Sequence, residues 1–113
     1  MNIHSSHLAY HIVQAARRRQ TITYGELGEA VGVIARGLGP YLERLEKWCA
    51  EKSLPPLTLL VVKVDTDRPS DEGRYKGKRY GEMSDSELER LQRQVFAHDW
   101  DQYGKVFAPR EPQ

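Results

Sequence analysis

The stretch Ile22-Thr23-Tyr24-Gly25-Glu26-Leu27-Gly28-Glu29-Ala30-Val31-Gly32 decides the fold. Thr23-Tyr24-Gly25-Glu26 has the form of a capping box. The Thr23 hydroxyl can accept from the Glu26 amide, and the Glu26 carboxylate can accept from the Thr23 amide. Ile22 before the cap and Leu27 at the fourth helical position suit a hydrophobic staple. The pattern predicts a short helix with Leu27, Ala30 and Val31 turned inward. Gly32 is its expected stop, because glycine enters the left-handed region without a Cβ penalty.

Toward the C-terminus, a second helix of the pair is expected from near Ile34 to about Lys52. Leu38, Tyr41, Leu42, Leu45, Trp48 and Cys49 mark its buried face. Gly37, Gly39 and Pro40 loosen the first turns, so Pro40, tolerated at a helix start, is the alternative beginning. Ser53-Leu54-Pro55-Pro56 ends it. Residues 57–64, LTLLVVKV, form the best strand candidate, being short, β-branched and nearly continuous in apolar character. Residues 65–81, DTDRPSDEGRYKGKRYG, are polar with Gly and Pro, and suggest a hairpin tip or an irregular loop. Ser84-Asp85-Ser86-Glu87 repeats the capping-box form before a last helix whose Leu88, Leu91, Val95 and Phe96 share a face. Trp100, Tyr103 and Phe107 in the tail are expected to pack back on the body, and Pro109 to Gln113 to fray.

Toward the N-terminus, Leu8, Ala9, Ile12, Val13 and Ala16 fall at helical spacing, with Ser5 or Ser6 as the expected cap. Arg17-Arg18-Arg19 closes this helix, favourably placed at the negative end of its dipole. The order is helix, short helix, turn, longer helix, strand, loop and final helix. That order predicts a mostly helical α+β domain: a winged-helix-like helix-turn-helix with a short hairpin or wing and a C-terminal helix. The expected organisation is one domain over residues 1–113. Its helix-turn-helix core spans about 5–64, its basic loop or wing 65–81, and its C-terminal helix and aromatic tail 84–108. Plain helix–helix packing in a small α+β domain is the alternative.

The chain has 113 residues, 29% charged and 39% hydrophobic, which suits a globular domain rather than a disordered one. Seventeen basic and sixteen acidic residues leave a net charge of +1. That near balance excludes an acidic DNA mimic and also a uniformly basic domain. Any nucleic-acid surface must arise from how the charges are distributed. Residues 68–79 carry five positive charges (Arg68, Arg74, Lys76, Lys78, Arg79) against two negative ones (Asp71, Glu72), a local net of +3. Tyr75 and Tyr80 are interleaved, as on a surface that touches phosphates and stacks on bases. A solvated loop held by its own ion pairs has the same composition. Glu43, Glu46 and Glu51 offset Arg44, Lys47 and Lys52 on the longer helix, which is unusual for a groove-reading helix.

Catalytic signatures are missing. There is no phosphate loop, no paired-cysteine motif and no zinc-protease motif. Cys49, the single cysteine, allows no internal disulfide and points to a reducing compartment. On the apolar face beside Trp48 it is expected to be inert. His4, His7 and His11 share a helix face but lack a nearby carboxylate or cysteine, so no metal site is expected. No cofactor is expected either. No segment reads as a membrane span or a leader, and the expected location is cytoplasmic.

Ile22-Thr23-Tyr24-Gly25-Glu26-Leu27, followed by Ala35-Arg36-Gly37-Leu38-Gly39, resembles the DNA-binding domain of O6-alkylguanine-DNA alkyltransferases and alkyltransferase-like proteins. The resemblance covers roughly residues 8–65. It implies that Tyr24 contacts the DNA backbone at a flipped nucleotide and that Arg36 enters the stack in place of the extruded base. Leu54-Pro55-Pro56-Leu57-Thr58 occupies the acceptor segment without a cysteine or a following His-Arg, so no alkyl transfer is implied. The spacing from Tyr24 to Arg36 is about two residues short of the family pattern. More of the chain is similar to a group of small bacterial domains found alone or beside HNH-type nucleases in restriction-like settings. The shared features are TYGELGEAVG, RGLG, LPPLT and the closing VFAHDW.

These observations lead to the expectation of a non-catalytic module that binds DNA, in duplex form, as an accessory to a nuclease, restriction or repair system. Its interface would be Tyr24, Arg36, Arg68, Arg74, Lys76, Lys78 and Arg79, with phosphate contacts from Arg17, Arg18 and Arg19. The alternative is a protein-interaction module, an accessory or inhibitory subunit of a nuclease or defence complex, using the aromatic tail around Trp100 and Tyr103.

Overall fold

A computed structural model describes residues 3–107. Helix α1 (Ile3–Arg17) leads through β1 (Ile22–Thr23) into α2 (Tyr24–Val31), a 3-10 turn (Ala35–Gly37) and α3 (Gly39–Glu51). A second 3-10 turn (Leu57–Leu60) leads to β2 (Val61–Val62). The hairpin β3 (Arg74–Tyr75) and β4 (Lys78–Arg79) and a short 3-10 turn (Tyr80–Glu82) precede α4 (Asp85–Ala97), and a last 3-10 turn spans Asp101–Tyr103. The class is α+β and mainly helical. None of the described helices is long and apolar enough to cross a membrane.

The capping boxes form as their spacing requires. The Thr23 hydroxyl accepts from the Glu26 amide at 3.1 Å, and the Thr23 amide donates to the Glu26 carboxylate at 3.0 Å. Ser84 and Glu87 make the same reciprocal pair at the start of α4. Gly32 stops α2 at φ +75°, its N–H donating to the Gly28 carbonyl. Val33 donates to the same carbonyl at 3.0 Å, so the chain folds back tightly over Gly28. Gly28 is therefore buried and Ala30 exposed, which corrects the expectation for Ala30. A Cβ on Gly28 would lie 2.5 Å from the Val33 carbonyl oxygen, so only glycine lets the turn close there.

The α1 stripe is buried as expected, with Ala15 added to it. Its start differs. The helix already runs from Ile3, so Ser5 and Ser6 lie inside it and neither is the cap. Nothing in the sequence breaks the helix before them, and Ser5 is buried with its hydroxyl donating to the Tyr41 carbonyl of α3 at 3.1 Å. At the other end Arg19 takes φ +54°, with Arg19 donating to Ala16 and Gln20 to Ala15, both at 3.0 Å. This is a Schellman closure built on a non-glycine residue. Helix α3 takes the later of its two expected starts, with Pro40 in the first turn and residues 35–37 forming the separate 3-10 turn.

The strand expected over residues 57–64 is corrected. Leu57–Leu60 is a 3-10 turn, and only Val61 and Val62 are extended. Residues 57–62 are buried without interruption, so the apolar run reports enclosure from all sides rather than strand periodicity. The two residues of β2 pair in parallel with β1, Ile22 opposite Val61 and Thr23 opposite Val62. That pairing ties the start of α2 to the segment following α3.

Residues 65–81 contain an ordered hairpin. Arg74 pairs with Arg79 and Tyr75 with Lys78, across a turn whose Lys76 and Gly77 both have positive φ (52° and 81°). That is the two-residue turn matched to strand twist. Two apolar clusters result. The larger joins α1, α3 and Leu57 and Leu60 with Trp100 and Phe107. The smaller gathers Leu59, Tyr80, Met83, Leu88 and Leu91 beneath α4. The tail packs back as expected: Trp48 meets Phe107 at 5.0 Å and Tyr103 at 5.6 Å, and the Trp100 indole donates to the Val95 carbonyl at 2.8 Å. The expected fraying of Pro109 to Gln113 lies outside the described residues.

Candidate nucleic-acid interface

The fold-back over Gly28 presents Ala35 and Arg36 on the turn between α2 and α3. The β1–β2 pairing brings the segment after Val62 against the same side. Between them lies a cleft of about 880 Å³. Arg36, Pro40, Glu43 and Glu46 line one wall, and Lys63, Pro69, Ser70, Gly73 and Arg74 the other. Tyr24, Leu42, Thr58 and Tyr80 also line it, together with Ala35, Gly39 and Glu72. Three of the residues singled out by sequence, Tyr24, Arg36 and Arg74, therefore share one concavity although they come from distant segments.

Tyr24 is half-buried, with Ser70 beside its phenol. Burial pushes that phenol above its ordinary range; the Ser70 backbone and hydroxyl oppose this and the Glu46 charge adds to it. The Thr58 and Tyr80 hydroxyls lie 3.2 Å apart within the buried lining. Arg36 is exposed and makes no ion pair among the described residues. Arg74 is also exposed; its guanidinium donates to the Gly77 carbonyl at 3.4 Å and makes no ion pair among the described residues.

The other cations are placed differently. Arg68 is clamped to the start of α4, donating to the Met83 carbonyl at 2.9 Å and pairing with Asp85. Lys78 pairs with Glu87 at 2.9 Å, and Arg79 with Glu82 at 2.8 Å. These partners hold the Glu87 and Glu82 carboxyls below the usual range, through Lys78 and Arg79 respectively. Such exposed pairs are weak and salt-screened, so a phosphate can compete for the cation. Lys76 sits over the Tyr75 ring, 5.3 Å from its centroid. Arg17 pairs with Asp101, while Arg18 and Arg19 make no ion pair among the described residues. None of these three lines the cleft.

Sequence reasoning missed Glu46, Lys63 and Ser70 as parts of this site. Glu43 and Glu46 sit three apart on α3, which put them on one face, but nothing local indicated that the face looks into a cleft. Glu46 is half-buried, and its Oε1 accepts from the Arg74 amide at 2.9 Å. Burial pushes its carboxyl upward; the Arg74 amide opposes this, the Glu43 charge adds to it and the Arg74 charge opposes it. Among the described residues no group of three His, Cys, Asp or Glu has metal-binding geometry.

Cys49 is buried on α3, and burial pushes its thiol up to about 12, against a hydrogen bond from the Leu57 backbone. Since the thiolate is the reactive form, a neutral-pH thiol reagent is expected to label native protein far more slowly than protein in denaturant. Equal rates in the two conditions would show that Cys49 is accessible.

Comparison with family models, with curated proteins and with solved structures finds no match to this chain.

Proposed function

We propose that this chain is a non-catalytic DNA-binding module of helix-turn-helix type, with the β3–β4 hairpin as its wing. The observation that carries the proposal is the convergence of Tyr24, Arg36 and Arg74 on one cleft of about 880 Å³, with Lys63 on its wall. The duplex lies across the mouth of the cleft. Arg36, Lys63, Arg74 and Lys76 meet phosphates, and Arg18 and Arg19 extend the contact. The resemblance to alkyltransferase-like domains adds that an unstacked nucleotide enters the cleft while the planar Arg36 side chain fills the gap it leaves. The similarity to nuclease-associated bacterial domains supports an accessory role in restriction or repair.

A protein partner is the second reading, and one observation favours it: three of the five cations between residues 68 and 79 are already matched by acids of the same chain. Of the aromatic tail around Trp100 and Tyr103 first considered for its interface, Trp100 is buried in the core and Tyr103 is half-buried.

The two readings separate in a fluorescence-anisotropy titration against a mixed-sequence duplex and a single strand, across a salt series. About six phosphate contacts predict a slope of log K against log salt near −5, and Lys76→Ala is expected to reduce it by about 0.9. No binding to either form at low salt would overturn the proposal. A slope unmoved by Lys76→Ala would remove the hairpin from the interface.

A further inference from the structure

Glu46 is the anomalous group of the cleft. Three carboxylates, Glu43, Glu46 and Glu72, line the cleft with three cations, Arg36, Lys63 and Arg74. Lys63 pairs with Asp71 at 3.9 Å, whereas the half-buried Glu46 forms no ion pair among the described residues. Its Oε1 is committed to the Arg74 amide. Its Oε2 accepts no hydrogen bond from the described residues and lies against Gly73, 3.3 Å from where a Cβ on that glycine would stand. The Gly73 position has no side chain to cover it, and a Cβ there would meet the Tyr80 ring at 2.5 Å. The cleft therefore offers cations together with a half-buried carboxylate oxygen, Glu46 Oε2, that is left open. A ligand that satisfies both carries an anionic group and a hydrogen-bond donor edge. A nucleotide of adenine or cytosine has both, its exocyclic amine standing where guanine and thymine have a carbonyl.

We infer that Glu46 is a specificity-determining residue, its Oε2 accepting from the exocyclic amine of the unstacked base held in the cleft and so selecting adenine or cytosine over guanine and thymine. This rests on the DNA reading above and adds the base chemistry to it. The geometry also determines what a glutamine would do. The Arg74 amide needs an acceptor, so the side-chain oxygen of Glu46→Gln stays on it. The amide nitrogen then takes the place of Oε2 and donates into the cleft. The preference should reverse toward a base that presents a carbonyl.

The experiment uses the full chain and fluorescein-labelled duplexes with one abasic position, the base opposite it being A, C, G or T. The wild type is expected to bind the A and C duplexes about tenfold tighter than the G and T duplexes, the discrimination of one charge-assisted hydrogen bond. Glu46→Gln is expected to bind the G and T duplexes as tightly as the others or more tightly, with its salt slope and melting temperature unchanged. Equal wild-type affinity for all four duplexes would overturn the inference and leave the DNA reading standing. The same holds if Glu46→Gln keeps the wild-type order. Absence of binding to every duplex would sink the DNA reading itself, and the inference with it.

Discussion

Replacing Arg36 by alanine is expected to lower duplex affinity by about 30-fold near 0.1 M salt, more than the loss of one phosphate contact explains. One such contact, at a slope of about 0.9, accounts for about eightfold at that salt concentration. The remainder, about fourfold or about 0.8 kcal/mol, is the planar contact of the guanidinium with the bases, just under the about 1–3 kcal/mol of a full base–aromatic stack. Arg36→Lys tests the division. It keeps the charge and therefore the salt slope, but lacks the planar fork. Its affinity is expected to stay well below the wild type while its slope matches it. Full recovery in Arg36→Lys would reduce Arg36 to a phosphate contact and remove the base-filling role. Because Arg36 is exposed and makes no ion pair among the described residues, neither variant should shift the melting temperature appreciably. Any loss of binding then belongs to the interface and not to folding.

Gly28→Ala is expected to be the most damaging small substitution in α2. Alanine normally improves a helix interior by about 1 kcal/mol over glycine. At Gly28 the new Cβ would lie 2.5 Å from the Val33 carbonyl oxygen and 3.4 Å from the Ala35 amide nitrogen, both backbone atoms. The turn that carries Arg36 must therefore move. A net destabilisation of about 2 kcal/mol follows from overpacking of this kind, a fall of about 10 °C in melting temperature for a domain of this size. Duplex affinity should fall in the same variant under conditions where it remains folded, because Arg36 rides on the displaced turn. Gly25→Ala is the control: it lies in the same helix with nothing within 4 Å of its Cβ. It is expected to be neutral or slightly stabilising. If the two variants melt alike, the close fold-back over Gly28 is not what holds the turn.

The parts of the fold that were legible beforehand are those governed by residues three or four apart. The Thr23–Glu26 and Ser84–Glu87 boxes, the Gly32 stop and the α1 stripe all follow from helix geometry, whatever surrounds them. Arg36 and Tyr24 were singled out through a motif that resembles that of alkyltransferase-like domains, and Arg74 through its place in a basic, tyrosine-bearing segment. The misreadings arose where distant parts of the chain compete for the same residues. Ser5 looked like a cap because serine prefers caps; a carbonyl from α3 uses its hydroxyl instead. Residues 57–64 looked like a strand because β-branched apolar runs usually are, but enclosure on every side selects for the same residues in a 3-10 turn.

The amino-acid sequence by itself determined the helices, the caps of α2 and α4, the turn between α2 and α3 and the set of cations available. Their chemistry is local, and each depends on neighbours along the chain. Only the tertiary structure decided which cations are occupied by acids and which are open. It also decided that Glu46 and Arg74, 28 positions apart, meet in one cleft. That choice depends on the parallel pairing of Ile22 with Val61 and on the fold-back over Gly28, contacts through which local propensity has no influence on the distant segment.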